Sequence, residues 1–155
     1  QYAEHYFLVR RLQKPVGTGK AALHLGAAMR WGDAALLPLC LLTPEMHNRS
    51  IVDRAFAKAG AVVTPVMETN SVLTLALSVL AGHVCSVLPG AMVGAIRSQG
   101  ELEALPLVEP SMMTAIGFMF LAKNSASRVL EAALALAREE RWLQHAAQHS
   151  GSLKP

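Results

Sequence analysis

The chain has 155 residues, about the length of one ordinary domain. Hydrophobic residues make up 52% and charged residues 16%, against roughly 45–50% and about 25% in typical domains, which excludes a disordered chain and calls for a large buried core. The 14 Lys and Arg against 11 Asp and Glu leave +3, spread from Arg10 to Lys154 with no run longer than Arg10-Arg11, which excludes a nucleic-acid footprint.

The chain starts at Gln1, as a cut-out fragment does, and no basic segment leads into an apolar stretch, so no export signal is expected. Residues 5–9 (His-Tyr-Phe-Leu-Val) are aromatic and β-branched and predict a strand, which runs into a loop containing Pro15, Gly17 and Gly19. Residues 20–31 are alanine-rich but contain Gly26, and both a short helix and a long loop fit them. Asp33 opens a turn before Pro38, and the apolar run at residues 39–42 predicts a strand covered on both faces, ending at Thr43-Pro44. From Asn48 or Arg49 to Ala59, the apolar positions Ile51, Val52, Ala55, Phe56 and Ala59 have helical spacing, and Gly60 is placed to stop the helix.

Residues 62–67 read as a strand. Glu68, Thr69, Asn70 and Ser71 put cap-type residues before a helix over Val72–Ala81, which Gly82 ends. Residues 84–88 predict another strand, and Pro89-Gly90 starts a short helix to about Arg97. This rhythm implies a mostly parallel sheet with helices on both faces. Residues 102–108 and 115–121 predict two more strands, separated by Glu109-Pro110-Ser111. One last long helix, capped by Ser125 or Ser127, follows, with fraying expected after about Gln148. The apolar stretch at residues 72–89 approaches membrane-span length, but Ser78, Gly82, His83 and Ser86 interrupt it, and a helix, a turn and a strand fit it better.

Motifs that carry chemistry are sparse. Residues 16–20 (Val-Gly-Thr-Gly-Lys) hint at a phosphate loop, but the pattern fails at Lys14 and Ala21, which leaves no hydroxyl for magnesium. His145 and His149 lie four apart, a spacing that can hold a metal, yet no carboxylate or cysteine flanks them on that face, and a solvated tail is the expectation. Asn48-Arg49-Ser50 matches a glycosylation sequon and is read as helix capping. Cys40 and Cys85 sit in apolar runs and are expected to be reduced and buried, which favours a cytoplasmic setting. No nucleophile elbow, zinc helix or Cys-x-x-Cys pair occurs, so neither catalysis, a cofactor nor a metal is expected.

One segment stands out. Residues 43–49 (Thr-Pro-Glu-Met-His-Asn-Arg) join the carboxyl end of a buried strand to a helix start, where open α/β sheets bind ligands because free N–H groups and the helix dipole attract polar or anionic groups. Thr43, His47 and Arg49 can add side-chain contacts. That Asn48 merely caps and Arg49 is solvated fits this segment equally well.

Residues 36–42 (Leu-Leu-Pro-Leu-Cys-Leu-Leu), 48–60 (Asn-Arg-Ser-Ile-Val-Asp-Arg-Ala-Phe-Ala-Lys-Ala-Gly), 68–72 (Glu-Thr-Asn-Ser-Val), 79–89 (Val-Leu-Ala-Gly-His-Val-Cys-Ser-Val-Leu-Pro) and 102–110 (Leu-Glu-Ala-Leu-Pro-Leu-Val-Glu-Pro) resemble, in order and spacing, the effector-binding domain of LysR-type transcriptional regulators. The resemblance spans about residues 5–141. It implies an α/β, type II periplasmic-binding-protein-like fold: one complete Rossmann-like subdomain and a partial second one, joined by two crossings near residues 9–15 and 109–113. The implied division is 1–14, the end of the first subdomain and its crossing; 15–110, the second subdomain; 111–145, the return crossing, strand and last helix; and 146–155, a frayed tail. Residues 16–30 look longer than the family's usual loop.

The resemblance further implies a small polar or anionic effector in the cleft, with contacts falling on Thr43, Met46, His47, Asn48 and Thr69, to which Arg49 is a reasonable addition. A homo-oligomer is expected, with apolar surface left on residues 115–121 and the last helix. No membrane partner is expected, and the family's DNA contacts lie in an amino-terminal winged helix-turn-helix that these residues do not include. A transport-type solute-binding protein shares the implied fold and is the alternative, and an enzyme on the same scaffold would need acid–base or nucleophile pairs that are not found here.

Overall fold

The computed structural model describes residues 1–12, 23–96, 102–121 and 127–149. The glycine-lysine loop at residues 16–20, the start of the alanine-rich segment, the predicted Ser125 cap and the end of the tail lie outside the described residues.

In chain order the elements are β1 (Tyr2–Arg11), β2 (His24–Leu25), β3 (Met29–Arg30), α1 (Trp31–Ala34), β4 (Cys40–Leu42), α2 (His47–Lys58), β5 (Met67–Thr69), α3 (Val72–Ala81), β6 (Ser86–Pro89), α4 (Gly90–Ile96), β7 (Leu102–Val108), β8 (Met113–Ile116), α5 (Arg128–Leu136) and α6 (Glu140–His149). β4 and β5 pair in parallel, and a single parallel bridge, Leu39 to Cys85, ties β4 to the start of β6. β1 lies antiparallel between β6 and β7, and β2 and β3 pair in parallel with β7. The sheet is therefore mixed. The helical connections impose parallel strands from β4 to β6, whereas β1 enters the sheet in the opposite direction.

Both faces are covered at the middle of the sheet, which is why residues 6–9 of β1 and residues 39–42 around β4 read as unbroken apolar runs. Tyr6, Leu8, Leu39, Leu41, Val87, Leu105 and Leu107 pack on one side with Trp31 and with Phe56 of α2. Phe7, Val9, Cys40, Leu88, Leu102 and Ala104 point to the other side and meet Leu75 and Val79 of α3. The alternation along β1 follows from the two-residue period of a strand.

α3 forms where local signals place it: the Ser71 hydroxyl accepts from the Thr74 N–H at 3.2 Å, and Gly82 ends the helix with a φ of 86° that only glycine adopts without strain. α2 ends at Gly60, φ 69°, as its periodicity predicts. Other boundaries are displaced. The strand expected at 62–67 is β5 at Met67–Thr69, because pairing begins only where β4 offers a partner, at Cys40 opposite Met67. The strand expected at 84–88 pairs over Ser86–Pro89, and the one expected at 115–121 is β8, Met113–Ile116, whose extent is set by β1 residues 2–5. Within the described part of 20–31, two short strands precede Trp31, which opens the four-residue α1, so the helix considered for 20–31 does not form there.

The single last helix is two. The chain turns at residues 137–139, where Arg138 N–H bonds to Ala135 and Glu139 N–H to Leu136. α6 then lies against the rest of the chain through Trp142, whose indole N–H donates to the Gln1 side chain at 2.8 Å beside Phe118. β1 pairs with β8 through residues 2–5 and with β6 through residues 6–9, so it changes partners between His5 and Tyr6, ahead of residues 9–15, the expected place of the first crossing. Both cysteines are free. Cys40 is buried as expected, but Cys85, at the bridge, is only half-buried, and burial raises both thiol pKa values.

Candidate ligand-binding site

At the carboxyl ends of β4 and β6 the structure opens a narrow cavity of about 60 Å³. Its walls are Leu41 and Leu42 of β4, Val87, Leu88 and Pro89 of β6, Tyr6 of β1, Asn48, Arg49 and Val52 of α2, Val72 and Leu75 of α3, and Met92 of α4. Three successive strand-to-helix junctions thus converge on one crevice, as an open α/β sheet requires.

Of the residues singled out in the sequence, Asn48 and Arg49 line the cavity itself. Thr43 and Thr69 lie together beside it, since the Thr43 N–H donates to the Thr69 carbonyl at 3.0 Å. Their hydroxyls are partly engaged: Thr43 Oγ1 donates to Glu45 at 2.7 Å, and Thr69 Oγ1 accepts from the Ser71 N–H at 3.1 Å and keeps its own proton to donate. Met46 occupies the position before the first turn of α2 without a capping side-chain bond, and His47 opens that helix exposed to solvent. Neither lines the cavity.

Two expectations at this loop are corrected. Asn48 is not the cap; it sits inside the first turn, exposed, with its amide making no hydrogen bond among the described residues. Arg49 is not solvated but 8% exposed. Its Nε donates to Asp53 at 2.7 Å, and Nη1 donates to Glu68 at 2.6 Å and to the Leu42 carbonyl. Burial alone would lower its pKa, but hydrogen bonds and charge from Glu68 and Asp53 outweigh that and raise it. Helical spacing made the Asp53 pair legible at i, i+4; Glu68 arrives from β5 and has no sequence signal.

Glu4 also went unread. Its side chain is buried on β1, and Oε1 accepts from the Ala91 N–H in the first turn of α4 at 2.7 Å, across 87 positions of sequence. Burial raises its carboxyl pKa against the opposing pull of the Ala91, Tyr2 and His5 contacts. The folded chain then binds the proton more tightly than the unfolded one, so stability falls as pH climbs from the unfolded carboxylate range through the raised folded pKa. Glu4→Gln keeps an oxygen for Ala91 and is expected to abolish that fall, with a melting temperature at neutral pH no lower than that of the parent; a clearly lower one would contradict this.

Among the described residues, no group of three or more His, Cys, Asp or Glu side chains gathers where a metal could bind, and no helix is long and apolar enough to cross a membrane. His145 lies on α6 beside Glu139, Arg141 and Trp142; the His149 side chain is outside the described residues.

The crevice at the carboxyl ends of β4 and β6, in a mixed α/β sheet entered by one antiparallel strand, lies where open α/β sheets bind ligands. The family profile described as LysR substrate binding domain matches residues 18–142, and the chain belongs to that family, with its type II periplasmic-binding-protein-like fold.

Solved structures agree on the fold. The chain is similar to the hydrogen-peroxide-bound cysteine-to-serine mutant of Corynebacterium glutamicum OxyR, at 18% identity and TM-score 0.66, covering 97% of this chain and 46% of that one. It is similar to full-length BenM at 20% identity and TM-score 0.60, covering 99% and 47%, and to the effector-binding domain of QuiR in complex with shikimate at 13% and 0.55, covering 72% and 48%. The chain thus spans under half the length of each of these relatives. No curated protein matches it.

Proposed function

We propose that this chain is the ligand-sensing part of a cytoplasmic LysR-type transcriptional regulator, binding a small polar or anionic metabolite in a cleft between two subdomains and having no catalytic role. The observation that carries the proposal is the convergence of the first turns of α2 and α3 with the ends of β4 and β6 on one cavity. This wall belongs to a subdomain that runs to residue 110 and takes in β1 from Tyr6 onward, since Tyr6 lines the cavity and β1 pairs there with β6 and β7, while residues 111–145 belong to the return crossing and the other subdomain. The effector is held by Asn48 and Arg49, which line the cavity, and by the rim groups Thr43, Met46, His47 and Thr69, and its binding biases the geometry of the two crossings. DNA contacts lie in a winged helix-turn-helix outside these residues.

In the full-length regulator, Thr43→Ala or Thr69→Val is expected to raise the effector's dissociation constant about ten- to a hundred-fold, since a hydrogen bond to a charged group contributes roughly 1.5–3 kcal/mol. Calorimetric titration with the inducer checks this, and unaltered affinity in both variants would remove the rim from the site.

The expected homo-oligomer has a physical basis in the exposed apolar side chains that follow β8. Phe118, Met119 and Phe120 are open to solvent beside Leu130, Leu134 and Leu136 of α5, and Leu121 and Val129 are exposed as well. A patch of this kind is rarely left bare in a soluble monomer. Sedimentation of the isolated chain is expected to show concentration-dependent self-association, and a monodisperse monomer at high concentration would count against it.

A further inference from the structure

Taking the cleft as the ligand site, we propose that Tyr6 is a positioning residue that couples occupancy of the cavity to the β1–β8 ladder, through the hydrogen bond between its hydroxyl and Thr114. Among the residues lining the cavity, Tyr6 is the one that β1 contributes, and it is 3% exposed, so a guest in that space packs against it. Its hydroxyl meets Thr114 Oγ1, on β8, at 2.9 Å.

The backbone puts this contact at a junction. Tyr6 is the first residue of β1 paired with β6, opposite Pro89, which also lines the cavity, whereas residues 2–5 pair with β8. Thr114 stands opposite Glu4 in that ladder, and residues 4 and 6 share a face of the strand, so the tyrosine reaches diagonally across the partner change. Glu4 is itself tied to the Ala91 N–H at 2.7 Å, next to the cavity residue Met92. The Tyr6–Thr114 bond is thus a side-chain link from the cavity to β8, and it can open without any change in main-chain pairing. A guest that limits the motion of the tyrosine ring holds the bond closed and β8 with it. Loss of either hydroxyl leaves cavity and ladder in place but disconnects them.

Xenon is the probe that tests this. Leu42, Val72, Leu75, Leu88 and Met92 wall an apolar space of about 60 Å³, and such spaces take up this gas whatever head group the natural ligand carries. The ¹⁵N-labelled 155-residue chain is placed under xenon and, as the pressure control, under helium. Xenon is expected to shift the backbone amides of Leu42, Val72 and Met92, and to slow hydrogen exchange in β8 by about five-fold, the effect of keeping one hydrogen bond closed. Tyr6→Phe and Thr114→Val each remove one hydroxyl and nearly keep the side chain's shape; both are expected to retain the shifts and lose the slowing. General stabilisation by the gas would survive in both variants, so slowing that persists in them overturns the proposal. Absence of slowing in the unaltered chain, with the wall amides shifted, overturns it too, and both results leave the cleft assignment standing. If the wall amides respond to xenon in none of the three proteins, the cleft assignment falls and the coupling falls with it. Either variant alone decides the point if the other folds poorly.

Discussion

Trp31→Ala is expected to lower the free energy of unfolding by about 3–5 kcal/mol, the range for removing a large buried aromatic side chain. Trp31 is 0% exposed and holds together parts of the chain that are distant in sequence. Its ring meets Phe56 of α2 edge-on with centroids 5.1 Å apart and leans against Tyr6 of β1 at 6.4 Å. Its indole N–H donates to the Pro110 carbonyl at 3.1 Å, in the segment between β7 and β8, and the neighbouring Arg30 pairs with Glu109 there at 3.0 Å. The loss therefore combines a cavity between α2 and β1 with the lost bond to the Pro110 carbonyl. Trp31→Phe separates the two contributions: it keeps most of the packing, and the lost hydrogen bond is expected to cost only about 1–2 kcal/mol. Chemical denaturation of both variants checks the ranking, and a loss below about 1 kcal/mol for the alanine variant would show that the site collapses around the void.

Arg49→Leu is expected to cost about 2 kcal/mol. Breaking a fully buried ion pair from one side costs about 3–5 kcal/mol, but here only the arginine is buried; the Asp53 and Glu68 side chains are 46% and 40% exposed and regain water when the guanidinium leaves. Arg49→Lys is expected to recover less than half of the loss, because an ammonium cannot reproduce the planar fork that reaches Asp53 through Nε and Glu68 and Leu42 through Nη1. Thermal unfolding of the two variants with Asp53→Asn and Glu68→Gln closes the cycle. Equal stability of the lysine variant and the parent would mean that charge alone, and not geometry, holds the α2 start to β5.

The mouth of the cleft was legible as a place before it was legible as a geometry. Apolar residues 39–42 running into Thr43-Pro44 and then into a helical pattern mark a strand-to-helix junction, and that junction does line the cavity through Asn48 and Arg49. What those side chains do there depends on neighbours that no local pattern announces. Glu68 reaches Arg49 because β5 lies parallel beside β4, and Glu4 reaches Ala91 because β1 runs alongside β6. Polar contacts of this range hold the Arg49 guanidinium through Nε and Nη1 and cover the Ala91 N–H.

Local sequence determined the elements whose causes are local. α3 is set by the Ser71 cap, its apolar spacing and the left-handed Gly82, and the last turn of α2 is set by Gly60, since caps and positive-φ glycines act within one turn of the chain. The two-sided burial of β1 and β4 was likewise written in their unbroken apolar runs. Tertiary structure decided everything that needs a partner. It set where the ladders of β5 and β8 begin, the antiparallel entry of β1, and the end of α5, after which Trp142 of α6 docks on Gln1 and Phe118. A strand is defined by hydrogen bonds to another strand and a buried charge by the groups that surround it, and both are supplied by residues tens of positions away.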